Sequence, residues 1–449
     1  MKTFFLVFSL CTASCGLLSG VLFGQPVETR FTNAFKKFEA DTQCKHALIS
    51  MYLVNGKTGK VILDRNSQIG LAPASCLKIV TSGAALDLLG KDYRYKTGFS
   101  YDGDLNIEAS GDPTLGSWRW ESTREETIQQ KLRASLKENN ISTYSGNIVV
   151  ADCDWETQVT PRGWTWEDIG NYYGAGARGL NWRENQYDLI LKPGKAEGDP
   201  VNILRYEPDI SPAVLINELK TGSIGSGDKS IIYLPESALT GYIRGTVPAG
   251  NNTFKVTGSM PDPTIVFKNA FKNLLTKDSL VTEKTESVLL THFSPTLDSI
   301  NYWFLQKSVN LFGEAFVKTI ALEKNGIGST EVGIEIIKDY WAKNGIDKSA
   351  LNIIDGSGLS PANRVTTNAL VTVLQFAKKQ DWYSSFYNAL PEQNGIKMKS
   401  GYIGGVRSYS GYIRSRSGAD YTFSFIVNNF DGSAGTVREK MWKLLDILK

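Results

Sequence analysis

Pro73-Ala74-Ser75-Cys76-Leu77-Lys78 opens an apolar, helix-like run that ends at Gly90. A serine with a lysine three residues on puts both side chains on one helix face, one turn apart. A hydroxyl placed this way gains a base without a histidine. The chain has only His46 and His292, so a Ser-His-Asp relay has little to draw on and a lysine-activated serine is the leading candidate nucleophile.

The flanking sequence suggests where that serine sits. Ala47 to Leu53 reads as a strand, Asn55-Gly56 as the start of a turn and Lys60 to Leu63 as a returning strand, a hairpin just ahead of Ser75. After Ser75, Ile79, Gly83, Leu86 and Leu89 fall near one helix face, and Gly90 is the stop. From about Phe99 to about Leu290 the pattern changes to short strand-like runs, turn residues and a tryptophan-rich section with Trp118, Trp120, Trp155, Trp164, Trp166 and Trp182. This stretch reads as inserted, mainly β material whose aromatic side chains pack a core. Helical periodicity returns at Leu311-Phe312, Ala315-Phe316 and Thr319-Ile320, and again from Ile336 to Trp341. Tyr421 to Val427 alternates as a strand, and Val437, Met441, Leu444, Leu445 and Leu448 outline a closing helix. The predicted fold is therefore α/β, with a sheet whose strands come from both ends of the chain.

At 449 residues the chain is too long for one typical core, and two or three domains are expected. Its net charge of +3 comes from interspersed acids and bases. No basic face argues for nucleic acid. Met1-Lys2-Thr3, the apolar stretch from Phe4 to Phe23 and the charged segment that follows fit a secretory signal over 1–24, with a retained membrane anchor as the rival reading. No later segment is apolar for long enough to span a bilayer. Cys44, Cys76 and Cys153 would remain in the mature chain, read either as buried thiols or as one pair plus a free thiol. No metal constellation and no cofactor motif is apparent.

Single triplets carry little weight. Ser226-Gly227-Asp228-Lys229 repeats the Ser-x-x-Lys spacing in a Gly-rich loop, and Lys-Thr-Gly occurs at Lys57-Thr58-Gly59, Lys96-Thr97-Gly98 and Lys220-Thr221-Gly222. None of these lies in the expected context. The informative pattern is an ordered set: Ser75 and Lys78, then Ser308-Val309-Asn310 leading into the Leu311 helix, then Lys399-Ser400-Gly401 followed by another strand-like run.

With these motifs the chain resembles the class C low-molecular-mass penicillin-binding proteins, the S13 D-alanyl-D-alanine carboxypeptidases/endopeptidases. The likeness extends to Ala72-Pro73-Ala74-Ser75, Ser110-Gly111-Asp112-Pro113-Thr114-Leu115, Gly163-Trp164-Thr165-Trp166-Glu167-Asp168, Leu180-Asn181-Trp182-Arg183-Glu184-Asn185 and Asp355-Gly356-Ser357-Gly358-Leu359-Ser360. It implies a β-lactamase/transpeptidase-like domain over 25–96 and 290–449, an antiparallel sheet with helices on both faces. Two inserted, mainly β domains would split it: one over 97–183 and 258–289, the other nested at 184–257.

The resemblance also implies roles. Ser75 would attack the penultimate carbonyl of a peptidoglycan stem peptide ending in D-Ala-D-Ala, and Lys78 would take its proton. Ser308 would relay that proton to the leaving amine, and Asn310 would orient both the substrate amide and Lys78. Lys399 would hold the terminal carboxylate with help from the Ser400 hydroxyl in the Lys399-Ser400-Gly401 motif, and the N–H groups of Ser75 and Tyr402 would form the oxyanion hole. The family commonly has threonine where Ser400 stands. Asp152 resembles a family aspartate that helps read the third residue of the stem peptide, with a plain surface carboxylate as the other reading. Pro361 stands where some relatives have an arginine, which weighs against a preference for diaminopimelate. β-Lactams would be covalent inhibitors, the protein would be periplasmic or in the cell envelope, and the oligomeric state stays open. Two rival functions share these motifs, a β-lactamase-like hydrolase and a non-catalytic wall-binding scaffold.

Overall fold

The computed structural model describes residues 26–141, 146–272 and 287–449. The expected signal over 1–24 lies outside the described residues.

The predicted hairpin forms from Leu48–Asn55 and Val61–Arg65, with Met51 opposite Arg65. The Leu48–Asn55 strand pairs on its other side with Asp420–Asn428, setting Met51 against Phe425 and Leu53 against Phe423. Residues almost four hundred positions apart are thus neighbours in one ladder. Val406–Arg414, Ile396–Ile403 and Glu392–Gln393 extend the sheet to six antiparallel strands.

Strand alternation sends the two sets of side chains to different layers. On one face Met51, Leu53, Phe423, Phe425 and Val427 pack against Phe31, Phe35 and Phe38 of the Val27–Glu39 helix and Val437 and Met441 of the Ala434–Leu445 helix. On the other face Ser50, Ser408, Ser410, Thr422 and Ser424 are buried small hydroxyl residues. They satisfy one another or the neighbouring chain, as in Ser50 Oγ to Thr367 Oγ1 at 2.7 Å and Ser410 Oγ to Ser424 Oγ at 2.9 Å. Their small size lets helices lie close to the sheet.

The central helix of that layer is Lys78–Leu88, in which Lys78 through Leu86 are all buried. The single apolar face read from the sequence is in fact one of several covered faces. A helix surrounded by others need not be amphipathic. Gly83 shows how tight the packing is, since a Cβ there would lie 3.0 Å from Trp341 Cζ2.

The chain leaves this domain through the Lys96–Tyr101 strand and returns through Ser287–Phe293, paired antiparallel with Lys96 opposite Phe293. With Leu105–Glu108 and Ile148–Ala151 they make a four-stranded sheet. The ladders formed by the named strands between Gln186 and Ser259 join these strands to one another, and Gly258 also bridges to Asn171 outside them. Trp182 sits in the core shared by these sheets, its ring 5.1 Å from Phe267 and 5.4 Å from Phe271. The packing role expected of the tryptophans holds for Trp155, Trp164 and Trp182, whereas Trp118 and Trp166 are exposed.

Cys44 and Cys76 are buried and Cys153 is exposed, all three as free thiols. The buried-thiol reading is thus corrected at Cys153, which lies in the turn just after the Ile148–Ala151 strand. Among the described residues, no helix is long and apolar enough to cross a membrane and no cluster of His, Cys, Asp and Glu could hold a metal.

Candidate active site

Ser75 does not begin the α-helix directly. It lies in a 3-10 turn, Ala74–Leu77, that runs into the Lys78–Leu88 helix. In a 3-10 turn residues i and i+3 eclipse, and Lys78 Nζ accordingly reaches Ser75 Oγ at 3.1 Å. Ala74 has φ +45°, a conformation that non-glycine residues adopt at a cost and that is retained where neighbours over-determine it. The clamps are visible. Ser408 Oγ donates to Pro73 O at 2.6 Å and Cys76 Sγ to Lys399 O at 3.2 Å. Two glycines press on the turn: a Cβ at Gly358 would lie 2.0 Å from Ala74 O, and one at Gly401 2.5 Å from Pro73 O.

Lys78 is fully buried. Its Nζ donates to Asn310 Oδ1 at 2.6 Å and to the Ser357 carbonyl at 2.6 Å. Burial and, second, the positive charge of Lys399 hold its pKa well below the ordinary lysine value, against the opposing pull of Asp355 and Glu314. Asn310 Oδ1 and the Ser357 carbonyl can only accept, so Nζ spends two N–H groups on them. A neutral amine bonded in this way keeps a lone pair free to take a proton from Ser75.

Ser308 and Asn310 lie where the Leu297–Gln306 helix gives way to Asn310–Asn325. Ser308 has φ +57°, a second strained residue at the site. Asn310 bridges two parts of the protein, accepting from Lys78 and donating from Nδ2 to Tyr173 O at 2.8 Å. The inserted sequence thereby helps aim a side chain of the split domain.

Lys399, Ser400 and Gly401 lie on the Ile396–Ile403 strand. Lys399 is 2% exposed, and burial lowers its pKa to about 8. Alternation turns Ser400 away from Lys399, and its hydroxyl accepts from Gln393 Nε2 at 3.0 Å. Tyr402 is exposed at the mouth of the site with Arg407 over its ring.

A cavity of about 920 Å³ brings Ser75, Ser308, Asn310 and Tyr402 together. Its far wall comes from the insertion, with Arg119, Asp168 and Tyr173, none of which the sequence reading singled out for the site. Asp152 stands exposed just past the Ile148–Ala151 strand, outside the residues that line this cavity. Lys399, Ser400 and Gly401 are not among the residues that line it; Lys399 Nζ donates to Ser400 O at 2.9 Å, on the strand that leads to Tyr402 in the lining.

Two supporting carboxylates also escaped the sequence reading as site residues. Asp355 is buried and accepts from Trp164 Nε1 at 3.0 Å, Gly358 N at 2.7 Å, Ser360 N at 2.7 Å and Asn363 Nδ2 at 2.9 Å. It shapes the loop that presents the Ser357 carbonyl to Lys78. Glu314, also buried, accepts from Gly356 N on the same loop, and burial followed by the nearby Asp355 raises its pKa. Asn310, Glu314 and Lys318 recur every four residues along one buried helix, so this polar stripe was available in the sequence.

The fold and the three motifs together define a β-lactamase/transpeptidase-like serine acyltransferase. The chain belongs to the D-Ala-D-Ala carboxypeptidase 3 (S13) family, which it matches over residues 32–447. It is 24% identical over 442 residues to a D-alanyl-D-alanine carboxypeptidase of Actinomadura sp. strain R39, covering 88% of this chain and 80% of that one. Identity to the D-alanyl-D-alanine carboxypeptidase DacB of Haemophilus influenzae is 21% over 437 residues, 86% of each chain. The crystal structure of penicillin binding protein 4 (dacB) from H. influenzae superposes with a TM-score of 0.76 at 17% identity, covering 93% of this chain and 99% of that one.

Proposed function

We propose that the protein is a carboxypeptidase that cleaves the terminal D-Ala-D-Ala bond of peptidoglycan stem peptides through an acyl-enzyme on Ser75. The observation that carries this reading is the buried Lys78 amine, 3.1 Å from Ser75 Oγ with its other contacts on pure acceptors. Neutral Lys78 takes the hydroxyl proton as Oγ bonds to the penultimate carbonyl carbon. The C–N bond then breaks, and the proton passes by way of Ser308 to the leaving amine. Water attacks the ester and returns Ser75. Lys399 holds the terminal carboxylate of the substrate, and Asn310 keeps Lys78 and the substrate amide in register.

Support comes also from family membership and from a solved H. influenzae penicillin binding protein 4 complexed with a β-lactam, TM-score 0.71. Secretion across the inner membrane is part of the same reading and rests on the basic start and apolar run over 1–24. So is the division of the insertion into 97–183 with 258–289 and a nested 184–257, supported by the ladders that join the strands between Gln186 and Ser259 to one another, although the last of them runs on past 257 and Gly258 also bridges to Asn171. The test is intact-protein mass after incubation with benzylpenicillin. A stable adduct of the drug's mass on the parent chain and none on Ser75→Ala is the expected result; no adduct on either, with the drug left intact, sinks the proposal.

A further inference from the structure

Arg119 is one of the residues that line the cavity, and its guanidinium is fixed by a two-point ion pair. Its Nε donates to Glu184 Oε1 at 2.7 Å and one Nη2 hydrogen to Oε2 at 3.0 Å. Glu184 is wholly buried, and its only other side-chain partner among the described residues is the Ser117 hydroxyl at 2.7 Å. The backbone that delivers Glu184 is strained, with Arg183, Glu184 and Asn185 all at φ between +52° and +54°. Strain of about 1–3 kcal/mol at each such residue persists only where the surroundings enforce it. They do so here: Asn185 Oδ1 accepts from Trp182 N at 2.9 Å, and its Nδ2 donates to Gly176 O at 2.9 Å. The face of the guanidinium lies against Trp303, 4.9 Å from the ring centre, on the helix that leads to Ser308.

Fixing Nε and one edge of Nη2 leaves both N–H groups of Nη1 uncommitted. They have no partner among the described residues, and the side chain is 15% exposed, in a cavity wall. An ion pair serving only to tie the insertion to the helix would not need a free edge. The other charged groups in the wall are Lys307, which is exposed, and Asp168, whose carboxylate accepts from Thr165 Oγ1 at 2.8 Å. Arg119 with Glu184 is formally neutral, and Lys307 and Asp168 are of opposite sign, so Arg119 contributes directional donors rather than net charge.

We propose that Arg119 is a specificity-determining residue that receives a second carboxylate of the substrate, apart from the terminal one, through its free Nη1 edge. The inference rests on the stem-peptide reading above. That class of peptide offers two such groups upstream of the scissile bond, the carboxylate of its second residue and a side-chain carboxylate on its third. Paired donors on a planar cation match either. The structure assigns this selectivity to the insertion, at the Ser308 side of the cavity rather than at Pro361, where the sequence lacks an arginine.

The experiment compares three peptides ending in D-Ala-D-Ala: one with both upstream carboxylates free, one amidated at the second residue and one amidated on the third side chain. For each, kcat/KM is measured with the parent chain, Arg119→Gln and Arg119→Lys, after counting active sites by penicillin uptake. The ratio of free to amidated peptide is independent of how much variant folds. The parent should favour the free acid about tenfold or more at one of the two positions, the size of a charge-assisted hydrogen bond. That preference should fall to near one in Arg119→Gln and shrink in Arg119→Lys, and the position that responds identifies the carboxylate. No preference in the parent, or a preference untouched in Arg119→Gln, overturns the proposal. If Arg119→Gln takes up no penicillin, the Lys variant decides by the same criterion. A parent chain that takes up no penicillin and cleaves none of the peptides fails the underlying reading and removes this inference with it.

Discussion

Lys78 Nζ lies 3.1 Å from Ser75 Oγ, and Lys399, one of the two causes that depress its pKa, is itself a buried cation. The two lysines must be in opposite protonation states for the proposed reaction, Lys78 neutral and Lys399 charged. Below its depressed pKa Lys78 is an ammonium and cannot accept a proton, so activity rises as pH climbs through that value. Lys399 titrates at about 8, and above that it loses its grip on the terminal carboxylate. The expected kcat/KM profile is therefore a bell with its falling limb near pH 8. Lys399→Arg keeps its charge throughout this range and should move the falling limb to higher pH. A profile still rising beyond pH 9 in the parent chain would refute the assignment.

Asn310 accepts from Lys78 at 2.6 Å and donates to Tyr173 O at 2.8 Å. Asn310→Ala should slow penicillin acylation by about 10²-fold or more, the scale of a lost proton-transfer geometry. Asn310→Asp should behave differently. A carboxylate in contact with Lys78 raises its pKa, so acylation falls at neutral pH and recovers as pH is raised. Stopped-flow acylation rates from pH 6 to 9 separate the two variants, and identical profiles would argue against Lys78 as the base.

Gly401 lies where the third motif meets the nucleophile's turn. A Cβ there would fall 2.3 Å from Ser408 Oγ and 2.5 Å from Pro73 O, the two atoms of the 2.6 Å bond that steadies the turn. Gly401→Ala should therefore displace Ser75 and cost about 10²-fold in acylation, as a displacement near 1 Å does. Rapid acylation of this variant, measured by intact mass, would show that the glycine is not what positions Ser75.

Much of this was legible from local pattern. Ser75 and Lys78 share a turn, and the strand alternation of Tyr421 to Val427 is regular. Ser308-Val309-Asn310 lies between two helices whose apolar spacing is clear. The rest depends on contacts between distant segments. Asp355 gave no sign that it would accept from Trp164, 191 positions away, and nothing near Glu184 announced Arg119. Ser400 was placed on the substrate by its motif, whereas the strand's alternation directs its hydroxyl to Gln393. The 3-10 geometry at Ser75 was equally hidden, because it follows from Gly358 and Gly401 pressing on Ala74 and Pro73.

Glu314 provides a test of the charge balance behind Lys78. Its carboxylate is buried, accepts from Gly356 N at 3.1–3.2 Å and from the Ser357 side chain, and has its pKa raised by burial first and Asp355 second. When ionised it pulls the pKa of Lys78 upward. As pH rises, Glu314 loses its proton and opposes the loss of one from Lys78, so the two titrations flatten each other. Glu314→Gln keeps an acceptor for Gly356 N and removes the charge. The rising limb of the acylation profile should then steepen and its midpoint move to lower pH. Glu314→Ala instead leaves a buried N–H without a partner, at a cost of about 1–3 kcal/mol, and should lower the melting temperature. A glutamine variant whose rising limb is shifted to higher pH would contradict the arrangement of charges described for this site.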